Sequence, residues 1–215
     1  HTSTIWKANL KKITIFLIEP TTTSFFKSNE IYPKEQQLEQ FLYFSKACVD
    51  FIHSWEKSPD LLHVHDWPTA IIPAIEKEIP TLLTIHNLAH QGTCPPELFE
   101  DIGLPGREML SFDNAQDPNI WDCCNLLKTG IVHADHITTV SPSYAKEVLT
   151  SLGGQSLDKT LSFHGDKFSG ILNGIDTDYW STRKNKHLFK EYGVRSLKGK
   201  QQNKEDLQKL LNLEC

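Results

Sequence analysis

The chain has 215 residues, 39% of them hydrophobic and 23% charged, and a formal net charge of -5. That composition is ordinary for a globular protein of one large domain, and the negative balance argues against electrostatic binding of nucleic acid. No apolar run reaches the length of a membrane span, and the opening HTSTIWKANLKK has neither the apolar core nor the cleavage site of a signal peptide.

Residues 13–18 (ITIFLI) read as a buried strand closed by Glu19-Pro20, and residues 21–33 as a loop. From Gln37 onward Phe41, Phe44, Cys48, Phe51 and Trp55 recur at three- and four-residue steps, the stripe of a helix that Ser58-Pro59-Asp60 ends. Residues 61–65 form a short apolar run. Residues 68–78 predict a helix, with Pro68 in its first turn and Pro73 deep enough to kink or shorten it. Residues 81–85 are a second apolar run suited to a strand. The order β, loop, α, β, α, β is that of a doubly wound α/β protein, not of a bundle or a sandwich.

Residues 92–120 lack a clear period and carry Pro95, Pro96, Gly103, Pro105, Gly106 and Pro118. They read as a long loop with short helices, lying over the ligand rim. Residues 124–133 (CNLLKTGIVH) predict a helix in which Gly130 permits close backbone packing, and 136–140 a strand. Ser141 reads as an N-cap with Pro142 at the first helical position, the helix running to 152 before Gly153-Gly154. Residues 157–167 read as irregular and 168–172 as a last strand, followed by Asn173-Gly174. No strand returns after that turn, which favours a rim turn over a hairpin. From residue 182 the chain is rich in Lys, Asn and Gln. Residues 203–213 predict an amphipathic helix whose side of Leu207, Leu210, Leu211 and Leu213 needs a partner surface.

Both central strands run into polar residues, His65 and Asp66 after the first, His86 and Asn87 after the second. Open α/β sheets bind ligands at the carboxyl ends of their strands, so these four residues are expected to meet on one rim. Asp66 has a second reading, as the N-cap of the helix that follows it. His63-x-His65 with His86 and His90 also spells a zinc set, but no Cys joins it and no metal is expected. Lys128 reads either as a cleft residue approaching phosphate or as a solvated helix lysine. Trp121 and Trp180 read as core or rim packing ahead of open platforms for a ligand. Ser141 lacks the G-x-S-x-G surroundings of a nucleophile. The five cysteines, Cys48, Cys94, Cys123, Cys124 and Cys215, have no regular spacing and predict reduced thiols in a cytosolic protein.

Four motifs in order, HVHDWPTA, TIHNLAHQG, LLKTGIVHADHITTVSPSYAKE and SGILNGIDTDYW, resemble the amino-terminal domain of bacterial glycogen synthases and plant starch synthases. FLYFSKACVDFI and the set Gly199, Lys200, Asn203, Lys204 and Leu207 fit as well. The resemblance implies one half of a GT-B fold, a Rossmann-like parallel sheet with helices on both faces. It implies retaining transfer of glucose from ADP-glucose to the non-reducing end of an α-1,4-glucan, with no metal or other cofactor. On it, His86 corresponds to the active-site histidine at the C6 hydroxyl of the transferred glucose, and Asp66 to an acidic residue near the acceptor and donor sugars. Asn87 is then a sugar-hydroxyl partner and Asn173 a donor-pocket residue. Trp67 offers an aromatic face to the acceptor, and Tyr32 is a further sugar contact.

The sequence departs from the family's pattern at its phosphate loop and its second lobe. It has no K-x-G-G-L motif, whose Lys and glycines hold the nucleotide diphosphate. Residues 1–181 are therefore expected to form a partial catalytic domain without its first strand and phosphate loop, and 182–215 a linker and helix toward an absent second lobe. On that expectation the isolated chain is inactive or nearly so, and a non-catalytic glucan-binding module or a truncated relic is the alternative. The location expected is the bacterial cytoplasm, or a plastid in a plant.

Overall fold

The computed structural model describes residues 2–27, 30–33 and 35–214. His1, Ser28, Asn29, Lys34 and Cys215 lie outside them, as do the thiol expected at Cys215 and part of the loop expected over 21–33. The chain divides into two compact units, His1–Leu172 and Asn173–Cys215.

The first unit opens with β1 (Ser3–Leu10) and β2 (Ile13–Pro20), an antiparallel hairpin in register from Leu10↔Ile13 to Ser3↔Pro20. Helix α1 (Gln37–Ser54) follows, then β3 (Leu62–His65), the short helices α2 (Asp66–Thr69) and α3 (Ile72–Ile75), and β4 (Thr81–Ile85). The stretch after β4 carries β5 (Thr93–Cys94), α4 (Glu97–Glu100) and α5 (Gly106–Met109). Next come β6 (Cys124–Asn125), α6 (Leu126–His133), β7 (His136–Thr139), α7 (Pro142–Glu147), α8 (Asp158–Phe163) and β8 (Phe168–Gly170).

Strands β3, β4, β7 and β8 form a parallel sheet in that order, flanked by helices. Side chains alternate along a strand, so β3 buries Leu62 and Val64 and exposes His63 and His65. The central strand β4 buries Thr81, Leu83 and Ile85. Leu83, Ile137, Leu126, Leu127 and Ile131 are fully buried and form the middle of the core. Each such side chain contributes about 1.5–3 kcal/mol relative to exposure.

Several local expectations need correction. The ITIFLI run is a strand, but it is neither buried nor part of the parallel sheet: Ile13 is 65% and Leu17 56% exposed. Its partner is β1, reached through a tight turn with Lys11 at φ 56°. Only one hairpin face finds cover, where Phe16 packs on Phe51 at 4.8 Å and on Trp55 at 5.1 Å. The aromatic stripe of α1 is accordingly shared, with Phe51 and Trp55 turned to the hairpin while Phe41, Leu42 and Val49 are buried.

The helix expected over 68–78 is split into α2 and α3, and Pro73 sits in the first turn of α3, where its missing N–H leaves no bond unmade. Residues 157–167 are not irregular: α8 buries Leu161, with Leu157 four positions earlier also fully buried, and Gly165–Lys167 form a 3-10 turn. Helix α7 ends at Glu147, short of residue 152, with Ser141 Oγ capping it by accepting from the Tyr144 N–H at 2.9 Å. Gly130 makes the close approach its position promised: a Cβ there would lie 2.5 Å from the Ala70 carbonyl oxygen.

The second unit contains α9 (Lys198–Leu210), which begins five residues ahead of the expected helix. Leu207, Leu210, Leu211 and Leu213 are all exposed. Asn203 Nδ2 ties the helix to its own preceding loop, donating to the Lys190 carbonyl at 2.6 Å. Among the described residues no helix is long and apolar enough to cross a membrane.

Candidate active site at the strand ends

The parallel register of β3 and β4 sets His65 opposite Thr84, so the residues that follow each strand emerge side by side. Asp66 turns the chain out of β3 with φ 52°, a left-handed conformation uncommon for a residue with a side chain. Its carboxylate Oδ1 accepts from the backbone N–H groups of His86, at 2.7 Å, and Asn87, at 3.3 Å. Of the two readings of Asp66, the helix-cap one is set aside: the cap position of α2 belongs to His65, and Asp66 instead closes the end of the neighbouring strand.

Thr69 clamps the backbone of His65. Its Oγ1 accepts from the His65 N–H and donates to the His65 carbonyl, both at 2.8 Å. The His65 ring reaches His86, Nδ1 to Nε2, at 3.1 Å. On its other side it lies 4.2 Å from the ring of His63, whose Nε2 is 2.6 Å from Thr84 Oγ1. Burial first, then the neighbouring His63 and His86, lower the His65 pKa below the usual histidine range, against an opposing pull from Asp66. Asn87 folds back locally, its Oδ1 accepting from the Ala89 N–H at 2.9 Å.

These elements border a cleft of about 990 Å³ whose lining includes Tyr32, His65, Asp66, Trp67, Asn87 and Gln91. Tyr32 is exposed at its mouth, 5.6 Å from the ring of Phe41. Trp67 is only 7% exposed, set edge-on to Phe41 at 5.1 Å. Behind Trp67 runs Gly92 at φ +67°, where a Cβ would come within 2.5 Å of the indole. Trp67 is thus part of the floor of the cleft and not an open platform. The structure brings Asp66, His86 and Asn87 together by direct hydrogen bonds and places Tyr32 and Trp67 around the same cleft. Asn173 is exposed and belongs to the second unit. A smaller cavity of about 620 Å³, bordered by α1, β1 and α4, contains none of the strand-end residues.

A buried polar network behind the cleft had no counterpart in the sequence reading. Asn125 caps α6 through its Oδ1, which accepts from the Lys128 N–H at 2.9 Å. Its Nδ2 donates to Gln91 Oε1 at 2.7 Å and to Asp117 Oδ2 at 2.9 Å. Thr93 Oγ1 donates to the same Asp117 oxygen at 2.6 Å. Burial pushes the Asp117 carboxyl up, but hydrogen bonds from Thr93, Asn119, Asn125 and Ile120 outweigh it and hold the pKa below its usual value. The network fixes Gln91 and Thr93, both of which line the cleft. Its one signal in the sequence is an Asn directly ahead of a helix.

Lys128 fits neither of its two readings. It is 1% exposed, and its Nζ donates to the carbonyls of Phe112, at 2.6 Å, and Gln116, at 2.8 Å. Burial lowers its pKa, with Asp113 and Asp117 opposing. Trp121 and Trp180 are exposed, contrary to the packing expected of them. Among the described residues no group of three or more His, Cys, Asp or Glu has the geometry to hold a metal, which removes the zinc reading of His63, His65, His86 and His90. Cys48, Cys94, Cys123 and Cys124 are free thiols.

The arrangement offers directional hydrogen-bond partners, a carboxylate, an amide and imidazoles, over an aromatic floor. That is chemistry suited to a polyhydroxyl ligand. Comparison with known proteins places the chain in a family. The glycogen synthase of Protochlamydia amoebophila (strain UWE25) is 38% identical over 205 residues, 91% of this chain and 41% of its own length. The probable starch synthase 4, chloroplastic/amyloplastic, of Arabidopsis thaliana is 35% identical over 219 residues, 97% of this chain and 21% of its own. A solved structure, the catalytic domain of Starch Synthase IV from Arabidopsis thaliana bound to ADP and acarbose, matches with a TM-score of 0.85 and 35% identity over 99% of this chain and 45% of that one. The chain thus spans less than half the length of each of these relatives. The family model described as the starch synthase catalytic domain matches residues 1–163, and the chain belongs to that family.

Proposed function

We propose that this chain supplies the glucan-facing side of a glucosyltransferase that moves glucose from ADP-glucose to the non-reducing end of an α-1,4-glucan, with retention. The observation that carries the reading is the bonding of Asp66 to the His86 and Asn87 amides, which joins two strand ends; Asp66 and Asn87 line the cleft, and His86 adjoins them without being part of that lining. The related catalytic domain bound to ADP and acarbose supports it.

In this reading His86 meets the C6 hydroxyl of the transferred glucose and Asp66 stands between donor and acceptor sugars. Asn87 bonds a sugar hydroxyl, Trp67 underlies the apolar face of a sugar ring, and Tyr32 closes the mouth. Asn173 serves the donor pocket near the phosphates. Residues 1–181 act as the catalytic lobe and 182–215 as a linker and helix. The place of action is a bacterial cytoplasm or a plastid.

Departure of a nucleotide diphosphate needs cations or helix N-termini aimed at the developing charge. The described residues that line the cleft include no Lys or Arg. Charge stabilisation therefore comes from groups beyond this lining, and the chain alone transfers little or no glucose. The same observation favours a second reading, a module that binds glucan without turnover.

The test is a chimera in which this chain replaces the matching segment of the Protochlamydia glycogen synthase. The chimera is expected to elongate glycogen from ADP-glucose, and His86→Ala to lower kcat/KM by about 100-fold or more, the scale of losing a group that stabilises transition-state charge. Unchanged turnover in His86→Ala would sink the role given to that residue. Glucan binding by a chimera that never turns over would favour the second reading.

A further inference from the structure

We propose that Asp117 is a positioning residue for the wall of the cleft formed by Gln91, Gly92 and Thr93, and that through Asn125 it fixes which way the Gln91 amide faces. The inference rests on the glucan reading of the cleft given above. Asp117 is buried and is itself no part of the cleft lining. Each of its oxygens accepts two hydrogen bonds. Oδ2 takes Thr93 Oγ1 at 2.6 Å and Asn125 Nδ2 at 2.9 Å, and Oδ1 takes the N–H groups of Asn119 at 2.8 Å and Ile120 at 2.9 Å. Burial works against the ionised form, but these bonds outweigh it and hold the carboxyl below its usual range. An ionised carboxylate only accepts, so every one of these partners must give it a hydrogen.

That demand runs through the network in one direction only. Asn125 is fully buried and turns Nδ2 toward Asp117, while its Oδ1 accepts from the Lys128 N–H at 2.9 Å. The second hydrogen of Nδ2 goes to Gln91 Oε1 at 2.7 Å. Gln91 Nε2 then faces two backbone carbonyls, of Leu88 at 3.0 Å and Gln155 at 2.9 Å, and a carbonyl can only accept. Both amides are thus oriented at both ends, and a turned amide would set oxygen against oxygen. The backbone is held as well. The first N–H groups of α6 donate to the same wall, Leu127 to the Gln91 carbonyl at 3.0 Å and Leu126 to the Gly92 carbonyl at 3.1 Å. Gly92 in turn lies against the indole of Trp67. Because both hydrogens of the Gln91 amide are spent inside the protein, only its oxygen is left for a ligand, an acceptor for a sugar hydroxyl. This is preorganisation of a binding wall by a residue that does not line it.

The test is NMR of the full 215-residue chain, labelled with nitrogen-15, in two variants. Asp117→Asn keeps the shape but leaves one oxygen where two were. Whichever way the new amide turns, either Thr93 and Asn125 or the Asn119 and Ile120 amides lose their acceptor. The amides of residues 91–93 should shift, the side-chain NH2 signals of Gln91 and Asn125 should exchange with water faster, and the Kd for maltoheptaose should rise about tenfold, the scale of one lost hydrogen bond to a charged group. The double variant Asp117→Asn with Asn125→Asp moves the carboxylate one place along the network. The introduced carboxylate still caps α6 and accepts from the introduced amide, so the urea midpoint should recover. It also sets an oxygen against Gln91 Oε1, which the Leu88 and Gln155 carbonyls prevent from turning, so the 91–93 shifts and the weak binding should persist. A residue that merely stabilises the fold would regain both together. Unchanged 91–93 amides in folded Asp117→Asn, or their return with stability in the double variant, overturns the proposal. If Asp117→Asn does not fold, the double variant alone decides in the same way. An unaltered chain that binds no maltoheptaose removes the glucan reading, while the 91–93 shifts still report whether Asp117 sets the wall. Undiminished binding to a wall that has moved overturns the positioning role and leaves the glucan reading standing.

Discussion

Strands β2 and β4 are similar apolar runs, ITIFLI and TLLTI, yet they meet opposite surroundings. β4 lies between β3 and β7, with Leu83 and Ile85 almost wholly buried. β2 has β1 as its single partner, with α1 against one face. The other face of this hairpin, with Trp6 and Leu10 of β1 and Ile13 and Leu17 of β2, is exposed. The difference shows that the position of a strand in its sheet, more than its composition, decides how firmly it is held. The proposed site follows the firmly held one. His86 and Asn87 leave the end of a strand whose side chains are locked by close packing, which is what a site needs if hydrogen-bond partners are to stay within tenths of an ångström.

The contrast can be broken by substitution. Leu83→Ala in β4 is expected to cost about 3–5 kcal/mol, the cavity penalty of a closed core, read as a lower urea midpoint. A cost near zero would mean that β4 is not the structural centre.

Acid should expose a second weak point on the α6 side. Burial first, then the charges of Lys77, Lys167 and His164, push the His133 pKa down from 6.5 to about 4. Its partners fit the neutral ring: Lys77 Nζ donates to Nδ1 at 3.1 Å, and Nε2 donates to Asn114 Oδ1 at 2.9 Å. The unfolded chain takes up this proton near pH 6.5 and the folded chain only near 4. The contribution is therefore complete above pH 6.5 and is lost as pH falls toward 4, up to roughly 3 kcal/mol. His133→Gln should flatten that part of the stability curve; an unchanged slope would contradict it.

Lys128→Met removes both bonds to the Phe112 and Gln116 carbonyls. A loss of about 2 kcal/mol is expected, from one buried and one part-buried carbonyl left without this partner, together with faster amide exchange over residues 112–116. Smallest of all, Ile13→Thr or Leu17→Thr on the open hairpin face should change stability by no more than about 0.5 kcal/mol. A cost like that of Leu83→Ala would erase the distinction between the two strands.

Much of the parallel sheet was legible in the sequence because strand periodicity and polar strand ends coincide there. The pairing of His65 and Asp66 with His86 and Asn87 follows from topology alone. The bond that organises the site was not legible, since Asp66 reaches amides twenty and twenty-one positions away and looks in sequence like an ordinary cap. β1 went unread because STIWKANL exposes most of its side chains and lacks the burial pattern that marks a strand. Helix α8 was missed because six residues with one buried Leu give no measurable period. Lys128 was misread because its partners are carbonyls of an irregular loop, which no sequence pattern announces.

The cleft at the ends of β3 and β4 is the proposed glucan site. Maltoheptaose titrated into the nitrogen-15-labelled chain tests it most directly. Saturable shifts of the amides of Tyr32, Asp66, His86 and Asn87 are expected, weakened in Asp66→Asn. Shifts confined to the smaller cavity near Tyr43 and Leu98, or no shifts at all at millimolar sugar, would contradict it.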